Sequence, residues 1–177
     1  HLPFGIMKFK DGVMSTRQGK VIFLEDVLNK SVEKVKEIIR AKNPNLKDKD
    51  QVAEQVGVGA IIFWDLSHDR VKDLGFDWEA LLDFSGETGP YVQYTYARAS
   101  AILRKAKNKA KADYSKLTQA KEAELIKTIS DFEGMIENAV QQYKPSVLAK
   151  YLVTLSQRFN EFYQTCPVLN EEDKSLA

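Results

Sequence analysis

The feature that most constrains this fold is a hydrophobic period of about 3.6 residues, which recurs along most of the chain. It is strongest after Pro145, in a segment that Pro167 ends, where seven apolar residues recur at helical spacing: Val147, Leu148, Tyr151, Leu152, Leu155, Phe159 and Phe162. Apolar residues at this spacing form a stripe that must pack against another element. The segment therefore predicts one long amphipathic helix that packs within a helical bundle.

The same period predicts further helices over about residues 24–41, 48–66, 88–110 and 116–142. A short helix over 78–84 has Asp77 as its cap. The 116–142 helix should turn six residues inward: Leu125, Ile129, Phe132, Ile136, Ala139 and Val140. Gly57 and Gly59 indicate close helix contact, whereas "FGIMKF" and "KVIFL" near the start are short strand candidates. The expected fold class is mostly α, a helical bundle preceded by a small β element.

Composition excludes several classes of protein. The chain has 177 residues, of which 44% are hydrophobic and 29% are charged, as in soluble globular proteins. No apolar run approaches the roughly 20 residues that span a bilayer. The single Cys166 excludes an internal disulfide and favours a reducing compartment, and with only His1 and His68 beside it a zinc site is not expected.

The stretch "GPYVQYTYAR" combines a glycine–proline start with three tyrosines. Tyr91, Tyr94 and Arg98 share one helical face by spacing, and a neighbouring apolar face, expected to be core, holds Val92, Tyr96, Ala99 and Leu103. Ring faces beside a guanidinium can stack splayed RNA bases. The alternative, which this segment alone favours, is that both rings of the first face are core residues with satisfied hydroxyls.

A second segment, "MSTRQGK" at residues 14–20, has the composition of a phosphate-binding loop. Ser15, Thr16, Arg17, Gly19 and Lys20 offer hydroxyl, backbone and cationic donors. Most loops of this composition are only polar turns. The glycine-rich signatures of mononucleotide and dinucleotide sites are missing from the sequence.

Taken in order, the blocks "HLPFG", "MSTRQGKVIFLEDVL", "GVGAIIFWDLS", "DFSGETGPYVQYTYARASAILRKA" and "P(x2)LAKYL(x2)L(x3)F(x2)FY" resemble the C-terminal half of arginyl-tRNA synthetases over essentially the whole chain. The resemblance implies that Met14, Ser15, Thr16 and Arg17, with Gly19 and Lys20, form the KMSKS-like loop that stabilises the phosphates of Mg-bound ATP. Val13 stands where that motif has its first lysine. Lys8, Lys10 and Lys20 are nearby cations that could compensate, and the sequence does not choose among them.

The resemblance also implies two domains. Residues 1–74 would hold the loop and the stem-contact region at the end of the catalytic domain, and 75–177 would form a helical anticodon-binding domain, truncated at its C-terminus. RNA contacts are expected from five residues of this second domain: Tyr91, Gln93, Tyr94, Arg98 and Tyr151. The implied partners are tRNA(Arg), arginine and ATP, for a cytoplasmic monomer without a membrane role.

The implied activity is attachment of arginine to its tRNA by the full-length ligase. The "HIGH"-like motif and the Rossmann-type domain of such ligases are not found in these 177 residues, so we expect an excised piece that does not activate arginine alone. The alternative is a stand-alone helical RNA-binding or interaction module derived from a synthetase. The reading frame upstream of His1 would distinguish the two.

Overall fold

The structure, a computed structural model, describes residues 1–9, 12–13, 22–106, 113–166 and 168. These residues form, in chain order, β1 (Met7–Phe9), β2 (Gly12–Val13), α1 (Leu24–Lys42), α2 (Lys49–Ser67), β3 (Leu74–Phe76), α3 (Trp78–Leu81), α4 (Gly89–Lys105), α5 (Ala120–Ser130), α6 (Phe132–Gln142) and α7 (Pro145–Thr165), with a 3-10 turn at Tyr114–Lys116. The prediction of a mostly helical fold with a small β element near the start is confirmed.

The sheet has the strand order β2-β1-β3. β1 pairs with β2 in antiparallel fashion and with β3 in parallel fashion, with Met7 opposite Leu74. The strand predicted in "KVIFL" is wrong where it is described, because Ile22 and Phe23 are not in a strand and Leu24 begins α1. β3 was not predicted, since three residues are too few to show an alternating pattern.

Close contact between α1 and α2 builds the main core. A Cβ added to Gly57 would lie 2.9 Å from the Val32 Cα and N atoms, so the two helix backbones approach too closely for any side chain here. Ser31 is fully buried, and its Oγ donates to the Gly57 carbonyl at 2.8 Å. The predicted close contact at Gly57 is therefore confirmed. The surrounding core consists of Val27, Val35, Ile39, Ala53, Ala60, Ile61, Phe76, Leu81 and Leu82.

α7 is the central helix of the bundle and packs against α2, α4, α5 and α6. The helix predicted over 116–142 is instead two helices, and Asp131 ends α5 and begins α6. Of the six residues predicted to point inward, Ala139 is buried and Leu125 half-buried, but four are exposed: Ile129, Phe132, Ile136 and Val140. The prediction is wrong for these four because their apolar stripe is wider than the contact that α7 provides.

Candidate nucleic-acid interface

The "GETGP" segment brings the start of α4 against α2. Thr88 caps the helix, and its Oγ1 accepts from the Tyr91 N–H at 3.3 Å. A Cβ added to Gly89 would lie 2.9 Å from the Phe63 Cβ and 3.1 Å from the Gly59 carbonyl oxygen. Only glycine fits here, and Pro90 follows in the first turn, where a helix needs no N–H donor. The glycine–proline start thus sets where α4 lies.

A cation contacts two tyrosine rings on the surface that α4 and α7 share. The Arg98 Cζ lies 4.7 Å from the Tyr94 ring centroid and 5.0 Å from that of Tyr163, and its Nη2 donates to the Tyr94 hydroxyl at 2.8 Å. Tyr94 is 49% exposed and Tyr163 is 40% exposed. We call these three residues the ring cluster. Exposed rings beside a guanidinium are suited to stacking nucleotide bases.

Asn160 of α7 lies behind the ring cluster and ties it to α4. Its Nδ2 donates to the Tyr91 hydroxyl at 3.1 Å and to Thr95 Oγ1 at 2.9 Å, and its Oδ1 accepts from the Arg98 Nη1. Asn160 is buried and Tyr91 is half-buried. The structure therefore brings together three of the residues expected to contact RNA: Tyr91, Tyr94 and Arg98.

Gln93 and Tyr151, also expected to contact RNA, lie elsewhere. The Gln93 Nε2 donates to the Gln55 carbonyl at 3.0 Å, so this side chain faces α2. Tyr151 is 7% exposed, and its hydroxyl donates to the Thr128 carbonyl at 3.0 Å. Burial, and secondarily the charge of Asp131, raises the pKa of the Tyr151 hydroxyl above its usual value. Both side chains are engaged within the protein and lie outside the ring cluster.

The predicted core face of α4 is wrong at its two largest residues. Tyr96 is 75% exposed and Leu103 is 76% exposed. The residues that α4 buries are Gly89, Pro90 and Thr95. The helix approaches α2 and α7 through small residues and hydrogen-bonded polar groups, and hydrophobic periodicity does not detect either kind of contact.

Two other cations of the bundle, Lys121 and Arg158, are held in ion pairs. Lys121 lies 2.9 Å from Glu124 and 2.9 Å from Glu161, and Arg158 pairs with the same two carboxylates at 3.1 and 3.0 Å. Hydrogen bonds from Lys121 and then Arg158 hold the pKa of Glu161 below its usual value. This network joins α5 to α7. Arg98, by contrast, is the cation whose guanidinium lies over the exposed rings.

The residues predicted to bind ATP phosphates lie outside the described ranges: Met14, Ser15, Thr16, Arg17, Gly19 and Lys20, together with Lys10. β2 ends at Val13, so the sheet holds the chain directly before Met14. Lys8 forms an ion pair with Asp73 at 2.7 Å and, chiefly through that hydrogen bond, lowers the pKa of the Asp73 carboxyl. Lys8 therefore already has an anionic partner.

Two negative findings apply to the part of the chain that the structure describes. No group of three or more His, Cys, Asp or Glu side chains there could hold a metal ion. No helix there is both long and apolar enough to cross a membrane.

Comparison with known proteins divides the chain into two matched parts. Residues 1–78 match the family model "tRNA synthetases class I (R), catalytic domain", and residues 92–177 match "DALR anticodon binding domain". The ring cluster lies in the second part. The two matches define a portion of a class I aminoacyl-tRNA synthetase that runs from the catalytic domain into the anticodon-binding domain.

Individual relatives specify the family. The chain is 47% identical over 177 residues to an arginine–tRNA ligase of Clostridium botulinum, and the match covers 99% of this chain and 31% of the relative. It is also 47% identical to an arginine–tRNA ligase of Halothermothrix orenii, and that match covers 98% of this chain and 31% of the relative. Among solved structures, Thermus thermophilus arginyl-tRNA synthetase matches with a TM-score of 0.90 at 32% identity, covering 99% of this chain and 30% of that one. The chain belongs to the arginyl-tRNA synthetase family and spans about a third of the length of the curated relatives it matches.

Proposed function

We propose that the surface between α4 and α7 binds the anticodon stem-loop of tRNA(Arg). The observation that carries this proposal is the ring cluster: two half-exposed rings with a guanidinium over both of them, in the segment that the anticodon-binding model matches. Single-stranded loops offer unstacked bases, which proteins hold on tyrosine and arginine faces. Tyr94 and Tyr163 are the rings on which the bases stack, and Arg98 supplies the positive charge.

We further propose that the whole protein is a cytoplasmic, monomeric arginine–tRNA ligase that uses Mg-bound ATP. Residues 1–74 would carry the phosphate loop and 75–177 the anticodon-binding domain. Such a reaction needs orientation of the reactants and stabilisation of charge at the attacked phosphate. Met14, Ser15, Thr16 and Arg17, with Gly19 and Lys20, have the donor groups for this purpose.

A titration with the tRNA(Arg) anticodon stem-loop tests the RNA surface. Tyr94→Ala should weaken binding by about 1–3 kcal/mol, the usual loss for one base–aromatic stack. Tyr96→Ala is the matched control, since this ring is also exposed on α4 but lies outside the ring cluster. Affinity should fall as the salt concentration rises, because Arg98 would lie near RNA phosphates. Equal losses for the two variants would contradict the proposal.

The phosphate loop is tested in the full-length ligase. Arg17→Ala should lower the rate of arginyl-adenylate formation by roughly 10²–10³, because a cation that stabilises developing charge acts mainly in the transition state. Affinity for tRNA should change little. An unchanged single-turnover rate of activation would remove Arg17 from the proposed role and leave Lys10 and Lys20 as the cations to test.

A further inference from the structure

The donor and the acceptor of each hydrogen bond around Asn160 can be assigned, starting from the Thr95 hydroxyl. Thr95 Oγ1 lies 3.0 Å from the Tyr91 carbonyl oxygen, and in that pair only the hydroxyl can donate. A hydroxyl has a single proton. Thr95 Oγ1 can therefore only accept from Asn160, so the group of Asn160 that faces it at 2.9 Å is the amide NH2.

Arg98 gives the same orientation independently. A guanidinium has donors only, so the Asn160 atom that faces it must be the carbonyl oxygen. The amide NH2 then uses one proton for Thr95 and the other for the Tyr91 hydroxyl, 3.1 Å away. Because Asn160 is only 9% exposed, water competes little for these bonds.

The consequence concerns the proton of the Tyr91 hydroxyl. Its oxygen accepts from Asn160, so its own proton must be donated elsewhere. Among the described residues, none accepts that proton. Tyr91 is half-buried and lies one helical turn from Tyr94 on α4, so an RNA chain on the ring cluster would pass beside this hydroxyl.

We infer that Tyr91 recognises the RNA by donating one hydrogen bond to an acceptor atom of a nucleotide, and that Asn160 is the positioning residue that keeps this proton available. The inference rests on the proposed function and adds a role distinct from stacking. It assigns importance to the hydroxyl of Tyr91 and not to its ring. It also makes a buried side chain, which touches no nucleotide, a determinant of RNA affinity.

Two nearly isosteric variants test it in the 177-residue chain, with the tRNA(Arg) anticodon stem-loop as the probe. Tyr91→Phe removes the hydroxyl and keeps the ring. Asn160→Asp keeps an acceptor for Arg98 but replaces the amide NH2 with a second acceptor. The Tyr91 hydroxyl then donates its proton to this carboxylate and not to the RNA. Each variant should lower affinity about threefold to tenfold, the effect of one hydrogen bond.

The double variant separates positioning from charge. If Asn160→Asp acts through the Tyr91 hydroxyl, Tyr91→Phe/Asn160→Asp should bind no more weakly than the weaker single variant. If the new carboxylate merely repels RNA, the two losses multiply, and this result would overturn the inference. Gln164→Glu, which adds the same charge at an exposed position of α7, is the control and should bind nearly as well as the original chain.

The thermal midpoint of each variant shows that affinity was measured on folded protein. Failure of the original chain to bind the stem-loop would contradict the proposed function itself. Binding by the original chain with unchanged affinity in Tyr91→Phe would overturn this inference alone, and that result does not require Asn160→Asp to fold.

Discussion

The tyrosines of this chain differ in what surrounds their hydroxyls, and Tyr151 has a buried side chain. Its hydroxyl donates to the Thr128 carbonyl and its ring lies 5.7 Å from that of Phe132, so it joins α7 to α5 and α6. Tyr151→Phe leaves the Thr128 carbonyl without this donor and should lower the free energy of unfolding by about 1 kcal/mol. Urea denaturation measures the loss. RNA affinity at low temperature should not change. A fall in affinity would show that the Tyr151 hydroxyl contributes to RNA binding.

At the same scale, the sequence predicts two of the four residues that form the ring cluster and support it. Tyr94 and Arg98 are four residues apart on one helix, so spacing alone places them together. Tyr163 and Asn160 reach them from α7, more than 60 residues later in the chain. No local pattern links such distant residues. Asn160 also lies outside the apolar stripe that periodicity predicts for α7, so hydrophobic spacing gave no signal that it is buried.

At the scale of elements, the contact between α1 and α2 depends on a missing side chain. Gly57→Ala places a methyl group 2.9 Å from backbone atoms of Val32, which cannot move without shifting α1. We expect a loss of about 1–3 kcal/mol, typical of overpacking. Gly134→Ala in α6 is the matched control, because nothing lies within 4 Å of its added Cβ. There the better helix propensity of alanine should add up to about 1 kcal/mol.

Thermal unfolding of both glycine variants gives the comparison. Equal stabilisation by the two substitutions would mean that α1 and α2 are not in close contact. The contrast is informative because the two substitutions have the same intrinsic effect on a helix and differ only in the space around the new methyl group.

Helix ends were predictable where a side chain marks them. Asp77 accepts from the Glu79 N–H at 2.8 Å as a cap, and Pro145 begins α7 as expected. The break at Asp131 was not predicted, because the apolar spacing continues across it. The orientation of α4 was also missed, since this helix contacts two neighbours through Gly89, Thr95 and Gln93 and not through large apolar residues.

At the scale of the whole molecule, a small polar contact joins the segment before β3 to the end of α6. Asp69 pairs with Lys144 at 2.8 Å, and the Arg70 Nη1 donates to the Tyr143 carbonyl at 2.6 Å. Tyr143 has a φ of 52°, the left-handed conformation that ends α6. The same segment continues into the strand that pairs with β1. This contact, which we call the Asp69–Lys144 link, connects the sheet to the bundle that carries the ring cluster.

The Asp69–Lys144 link should make stability depend on pH in one direction. A hydrogen bond from Lys144, followed by one from the Val71 N–H, lowers the pKa of the Asp69 carboxyl below its ordinary value of 3.8. Because the folded-state pKa is the lower one, the link stabilises the fold above pH 3.8, and this contribution is lost as the pH falls through the folded pKa. Asp69→Asn should therefore lower the thermal midpoint at neutral pH, and the difference from the original chain should shrink in acid.

Lys144→Met tests the same link from its other side. It removes the charge while keeping much of the side-chain length, so it should also lower the midpoint at neutral pH. Because the two residues act as a pair, Asp69→Asn/Lys144→Met should be no less stable than the weaker single variant. Glu54→Gln, at an exposed carboxylate of α2, is the control for the loss of one negative charge. Additive losses, or a difference that persists unchanged in acid, would show that the ion pair does not couple the two parts of the molecule.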